Sequence, residues 1–330
     1  MMIGLYSNKQ SFYKNETKKI VNILKKNKVE FEVYTNLKKA KCDILIVVGG
    51  DGTILRAVME MRKQIPILGV SKGIKFLTEI EFEEFEDSLK KILKRKYKIE
   101  EGMRLECEIN GMDIPKALND IVITSSKGGG VVRHSLKIND KLVWRDDGDG
   151  VIISTPTGST AYSLSAGGPI VMENADTISI VPICSIEKNK PLIVSGNSRI
   201  EIADIFSNMG CDVVIDGQKR FKIKKKSIKI RKIRNPALFI RFSDRYLRIF
   251  GKLKEKKERV VLSNDAPPSS KFIYKMLSYE GYLTQREIAA ETGLPARTVR
   301  HALEYLVKNG IIEKRTTLKD TRQSIYFIVE

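Results

Sequence analysis

Short apolar runs alternate with amphipathic stretches over the first third of the chain. MIGLYS (2–7) predicts a strand, TKKIVNILKKN (17–27) repeats its apolar residues at helical spacing, and VEFEVYT (29–35) alternates as a strand does. CDILIVVGG (42–50) predicts a buried strand opening into a glycine turn, followed by a helix over TILRAVMEMRK (53–63) and a short buried strand in IPILGV (65–70). Strands that alternate with helices in this way predict a parallel sheet with crossover helices, a Rossmann-like α/β domain.

From about Leu105 the pattern changes. LECEIN, ALNDIVITSS, HSLKIND, KLVWRDD, GVIISTPT, TISIVPICS, PLIVSG, RIEIAD and CDVVIDGQ read as successive strands, with Gly111, Gly148, Gly150, Gly196 and Gly217 at the breaks, where a tight turn or a positive φ is needed. ALFIRFSDRYLRIFG (237–251) reads as a return to the first domain, and SNDAPPSS as a linker. The predicted organisation is an α/β nucleotide-binding domain over 1–104 with a return segment at 237–255, a β-rich domain over 105–236, a linker at 256–268 and a separate unit at 269–330.

That last unit opens with an amphipathic helix, KFIYKMLSYEG. A second helix begins at the capping box Thr284–Glu287 and ends at Gly293, and Pro295 opens a third, ARTVRHALEYLVKN, which stops at Gly310. With IIEKRTTLKDTRQSIYFIV as a β-hairpin wing, the arrangement is an α+β winged helix-turn-helix, similar to regulators of the MarR type. Arg297, Thr298, Arg300 and His301 fall where base and phosphate contacts belong, and Lys314, Arg315, Lys319 and Arg322 fall on the wing beside phosphates of double-stranded DNA. The nearly balanced charge of this unit leaves dimerisation or ligand coupling as the competing role.

The chain carries a formal net charge of +19, much of it between Lys219 and Arg259, so its partners are anionic. In FKIKKKSIKIRKI the basic residues alternate with Ile, which predicts an exposed edge strand guarded by lysine. No apolar run approaches the roughly 18–20 residues a membrane span needs, and the N-terminus has no leader pattern, so no membrane partner and a cytoplasmic setting are expected. The four cysteines form no CxxC pair, and only His134 and His301 are present, so carboxylates must carry any acid–base work.

Three constellations carry chemistry. Gly49-Gly50-Asp51-Gly52-Thr53 follows a buried strand and opens a helix, so backbone amides and the helix dipole can receive an anion. Asp51 would repel phosphate unless it meets a cation or takes a proton from an attacking hydroxyl; a plain turn with Asp as N-cap is the alternative. The stretch from Asp149 to Gly168, DGVIISTPTGSTAYSLSAGG, gathers hydroxyls and amides that suit a polyhydroxylated, phosphorylated ligand, or else forms a polar surface loop. Asn119-Asp120 lies in an apolar strand, so at least one of the pair should face the core, where it needs a partner. No GxxxxGK[ST] sequence is present to hold a triphosphate.

In this order, GGDGT, ALNDIVI, DGVIISTPTGSTAYSLSAGGPI and IDGQ resemble the NAD kinase family, archaeal-like in type, from Met1 to about Lys254. GGDGT alone is shared with lipid kinases and phosphofructokinase-type enzymes; STPTGSTAYSLSAGG is the diagnostic part. The resemblance implies transfer of a phosphoryl group from ATP or polyphosphate to the 2′-hydroxyl of the adenosine ribose of NAD. It also implies a divalent cation, normally Mg²⁺, and a homo-oligomer, dimer or tetramer. It makes Asp51 the general base, with Gly49, Gly50, Gly52 and Thr53 around the phosphates and Arg56 near the diphosphate. Asn119 and Asp120 would bind the adenine and ribose side, Asp149, Thr160, Ala161, Tyr162 and Ser165 the second nucleoside, and Gln218 the NAD. GVSKGIKFLTE departs from the family at Ser71, and PICSIEKNKPLIV lacks the usual His and Arg. The alternative reading is a DNA-binding regulator whose kinase-like domain senses NAD or NADP.

Overall fold

The computed structural model describes residues 1–7, 14–73, 76–109, 114–127, 130–223, 227–242, 267–280, 282–316 and 324–328. The chain divides into two compact units, Met1–Asp244 and Arg245–Glu330. Lys319, Arg322, the linker from 256 to 266 and the return segment beyond Phe242 lie outside the described residues.

The first unit opens with β1 (Ile3–Ser7), α1 (Lys14–Lys26), β2 (Phe31–Tyr34), β3 (Ile44–Val48), α2 (Asp51–Glu60) and β4 (Ile67–Ser71). Their sheet runs β2-β1-β3-β4, all parallel, and β3 and β4 are buried throughout, as a sheet covered on both faces requires. Short β5 (Ile80–Glu81) joins the side of β4. Helix α3 (Phe85–Leu93) buries Phe85, Leu89 and Ile92 against Ile3, Leu5, Ile44 and Ile46. The sheet ends in β6 (Lys98–Gly102), which pairs antiparallel with β18 (Ala237–Arg241), and β18 lies between β4 and β6.

The rest of this unit is two antiparallel sheets and the short helix α4 (Tyr162–Ser165). One has the order β10 (Lys141–Gly148), β9 (Val132–Ile138), β14 (Ile200–Phe206), β17 (Ile228–Lys232), β7 (Leu105–Glu108). The other runs β13 (Leu192–Ser195), β12 (Thr177–Ile183), β11 (Gly150–Ser154), β8 (Asp120–Ser125), β15 (Cys211–Ile215), β16 (Lys219–Lys222). Both contribute to a shared core that includes Leu136, Ile202 and Ile230 from the first and Ile121, Ile153 and Val213 from the second.

The basic run corrects the edge-strand expectation in part. β16 is a sheet edge, but β17 is an interior strand that turns Ile228 and Ile230 inward and Lys229 and Arg231 to solvent. Alternation reports that one face is wet; it carries no information on whether the strand's hydrogen-bonding side is open.

The second unit is α5 (Pro268–Glu280), β19 (Tyr282–Thr284), α6 (Gln285–Thr292), α7 (Ala296–Lys308), β20 (Ile312–Thr316) and β21 (Ser324–Ile328). Its core joins Ile273 and Leu277 to Ile288, Val299, Leu303 and Leu306, over the three-stranded sheet β19-β21-β20. Thr284 and Glu287 form a reciprocal capping box, and Gly293 ends α6 at φ 66, a left-handed value that favours glycine.

Candidate active site

At the C-terminal end of β3 the chain must turn sharply into α2. Gly49 does so at φ 148, and a Cβ there would meet the Thr53 hydroxyl at 2.5 Å, so no larger residue fits. Gly50 is the N-cap and no side chain caps the helix, which leaves the positive end of its dipole facing outward beside exposed Gly52.

Asp51 is the first helical residue rather than the cap. Its carboxylate reaches across to the segment after β4, where Oδ2 accepts from the Phe76 N–H at 3.1 Å and Oδ1 from the Leu77 N–H at 2.7 Å. Two charge-assisted bonds fix the plane of the carboxylate. The N-cap alternative therefore fails: the side chain serves a distant backbone, not its own helix. Ser71, the departure noted in the sequence, is fully buried; its hydroxyl donates to the Gly73 carbonyl at 2.6 Å and lies 3.2 Å from the Thr78 hydroxyl, so it closes the same segment.

The second cluster forms where the ALND, STPTG and IDG sequences meet. Asp216 sits in a hairpin turn with Gly217, at φ 50 and 64, and Gln218 N–H closes the turn onto the Ile215 carbonyl at 2.8 Å. Its buried carboxylate accepts from the N–H groups of Leu118 (2.9 Å), Asn119 (2.7 Å) and Asp120 (3.1 Å). On the other side, Thr155 Oγ1 donates to the Leu118 carbonyl at 2.5 Å and accepts from Gly158 N–H at 3.1 Å, while Thr155 N–H donates to the Asn119 carbonyl at 2.9 Å. A Cβ on Gly158 would run into that same carbonyl, so the loop packs backbone to backbone.

Asp120 is buried, with the Tyr162 backbone N–H as a partner; burial first, and the neighbouring Asp216 charge second, push its carboxyl up to about 8. Burial also raises Asp216, to about 6, against the pull of its three backbone donors and the Arg104 charge. Burial thus lifts both carboxyls above the ordinary range, Asp120 the more strongly. Asn119 is half-buried and its Oδ1 has no hydrogen-bond partner.

The two clusters come together where α2 begins. A Cβ on Gly52 would come within 3.7 Å of Gln218 Nε2, so the hairpin after β15 stands against the head of α2. Thr160 is buried, with its hydroxyl donating to the Thr157 carbonyl at 3.3 Å; Ala161 and Tyr162 are half-buried and Ser165 is exposed at the end of the short helix α4 (Tyr162–Ser165). Arg56 is exposed on α2. Asp149 stands apart: β11 pairs Ser154 with Asp120 at one end and Gly150 with Thr124 at the other, which puts Asp149 roughly 17 Å along the strand from the cluster. Sequence reasoning missed Asp216, Phe76 and Leu77. The Asp-Gly turn signal pointed to the first, whereas backbone donors leave no signature.

The model of the ATP-NAD kinase N-terminal domain matches residues 4–97, and that of the ATP-NAD kinase C-terminal domain matches 118–242. An NAD kinase of Clostridium perfringens is 37% identical over 267 residues, which span 76% of this chain and 97% of that one. The chain belongs to the NAD kinase family. A crystal structure of an NAD kinase from Archaeoglobus fulgidus in complex with ATP superposes with a TM-score of 0.69 at 32% identity, covering 77% of this chain and 99% of that one. Yeast NADH kinase complexed with NADH shares the fold, with a TM-score of 0.69 at 23% identity over 77% of this chain and 87% of that one. A winged helix-turn-helix DNA-binding model matches residues 272–313, beyond the two kinase domains.

NAD kinases use a divalent cation. Among the described residues no group of three or more His, Cys, Asp and Glu side chains could hold a metal. A single carboxylate at a helix head fits a cation that arrives already bound to phosphate oxygens. Among the described residues no helix is long and apolar enough to cross a membrane.

In the winged unit, Arg297, Arg300 and His301 are exposed on the N-terminal half of α7 and Thr298 is half-buried. Lys314 is exposed on β20, whereas exposed Arg315 stacks over the Phe327 ring at 4.8 Å and bonds Glu313 at 3.0 Å.

Proposed function

We propose that this chain transfers the γ-phosphoryl group of ATP to the 2′-hydroxyl of the adenosine ribose of NAD, giving NADP and ADP. The observation that carries the reading is the Asp51 carboxylate, held by two backbone amides at an uncapped helix head that stands against Gln218. The 2′-oxygen forms the new bond to phosphorus, the bridging bond to ADP breaks, and the hydroxyl proton passes to Asp51. Because the transition state is loose, a carboxylate already accepting two hydrogen bonds is basic enough to take the proton late.

Gly49, Gly50, Gly52 and Thr53 surround the phosphates with Arg56 nearby, and Mg²⁺ comes with the triphosphate. Asn119, with its unpartnered Oδ1, and Asp120 take the adenine and ribose side. A protonated Asp120 can donate as well as accept there. Thr160, Ala161, Tyr162 and Ser165 hold the second nucleoside with Gln218, Asp149 is the further candidate for that side from the other end of β11, and the chain forms a homo-oligomer, dimer or tetramer. Polyphosphate is the second donor candidate. The cytoplasm is the setting that suits four cysteines with no CxxC pair among them.

Incubation with Mg²⁺, ATP and NAD is expected to yield NADP. No NADP with either ATP or polyphosphate would favour a second reading, a DNA-binding sensor of NAD or NADP, which the winged unit makes specific. In either case the exposed Arg297, Arg300 and His301 of α7, with Thr298, enter the major groove, and Lys314, Arg315, Lys319 and Arg322 meet phosphates. Duplex DNA titrated by fluorescence anisotropy should bind with a steep fall in affinity as salt rises. A flat or absent response removes nucleic acid from the partners.

A further inference from the structure

The segment that holds Asp51 is itself held from behind. Leu77 gives its N–H to Asp51 Oδ1 at 2.7 Å, and its carbonyl accepts from Arg241 Nη1 at 3.4 Å, so the residue is fixed at both of its peptide groups. The Arg241 guanidinium is immobilised in turn: its Nε donates to Glu100 at 3.2 Å, Nη1 lies 3.6 Å from Glu79, and its face covers the Phe239 ring at 4.9 Å. Glu79, two residues after Leu77, also accepts from the Phe242 N–H at 2.9 Å and donates its own N–H to the Gly69 carbonyl at 2.9 Å.

The Arg241 and Glu79 side chains are 3% and 2% exposed. A buried ion pair is weak evidence for stability, because desolvation offsets most of its attraction and an apolar pair of the same volume often serves as well. What an apolar pair could not do is donate to the Leu77 carbonyl. We infer that Arg241 is a positioning residue for phosphoryl transfer, holding through Leu77 the backbone that orients Asp51. The inference rests on the role given to Asp51 above. Arg241 touches no substrate; it acts through one residue whose displacement would swing the carboxylate, and a shift of about 1 Å in a reacting group costs on the order of a hundredfold in rate.

The test compares wild type, Arg241→Lys and the neutral double variant Glu79→Gln/Arg241→Gln, with Arg231→Lys, which touches the surface pair of Arg231 on β17 with Glu106 on β7, as control. Lysine keeps the charge opposite Glu79 but cannot bridge Glu100 and the Leu77 carbonyl together. In Arg241→Lys and in the double variant, kcat should fall about ten- to a hundredfold with KM for NAD and for ATP within about twofold, while the control keeps wild-type kcat. Amide hydrogen exchange at Phe76 and Leu77 should quicken in Arg241→Lys ahead of the rest of the first unit. Wild-type kcat in either variant overturns the inference, as does a rise in KM at constant kcat, or rapid exchange of the Leu77 amide in the wild-type protein. If wild type itself makes no NADP, the kinase reading fails instead.

Discussion

Asp51→Asn will leave a folded protein that binds NAD but forms NADP about 10²–10⁴ times more slowly, the range lost with a positioned general base. The substitution keeps one oxygen to accept from Leu77 or Phe76, so the head of α2 and the segment after β4 should stay together. Its amide can take no proton from a ribose hydroxyl. Steady-state assays should show the loss in kcat with little change in KM for NAD. A variant with activity within threefold of wild type would mean that the carboxylate is a brace for the segment at 76–77 and no base at all.

Asp216→Ala is the larger structural lesion. It removes one acceptor from three buried backbone donors and leaves Arg104 without its charge partner, at an expected cost of about 3–5 kcal/mol. Asp216→Asn keeps an acceptor and tolerates φ 50 better than alanine, so its urea midpoint should lie between those of wild type and Asp216→Ala. The carboxyl pair also sets a pH dependence. Asp120 is raised to about 8 in the fold from an ordinary value of 3.8, so between those limits the native state holds a proton that the unfolded chain has released. Its contribution to stability is complete below about pH 4 and is lost as pH rises towards 8. Asp120→Asn should flatten that slope in a melting-temperature series from pH 5 to 8; an unchanged slope would place the proton elsewhere.

Much of this architecture could be read from the chain. The runs ILIVV and GVII are apolar from end to end because their strands are buried on both faces, and the glycines beside them mark the turns at which chemistry is displayed. Of the two helices after Thr284, α6 runs from its capping box to Gly293, and α7 runs from Pro295 to just before Gly310. No element is predicted over 79–104, although α3 and β6 form there, and β19 is too short to announce itself against its neighbours. At the site, Asp51, Asn119 and Asp120 are legible because charged or amide groups beside apolar strands demand partners. Asp216 and the amides of Phe76 and Leu77 are not, since what recruits them is the approach of backbone from remote parts of the chain. Asp149 shows the converse: it belongs to a recognisable sequence, yet strand register carries it to the other end of β11 from the residues it accompanies in the motif.

The near contact of Gly52 with Gln218 means that a ligand bound there has one wall from the α/β part and one from the β-rich part of the first unit. A dinucleotide that bridges those walls adds a second link between two parts already joined through Leu118, which packs in one core with Val47, Ile54 and Phe239. Saturating NAD, at about a hundred times its dissociation constant, should add roughly 2.7 kcal/mol to the stability of the first unit, read as a rise in its melting temperature in a calorimeter. Substrate thereby becomes part of what holds the first unit folded.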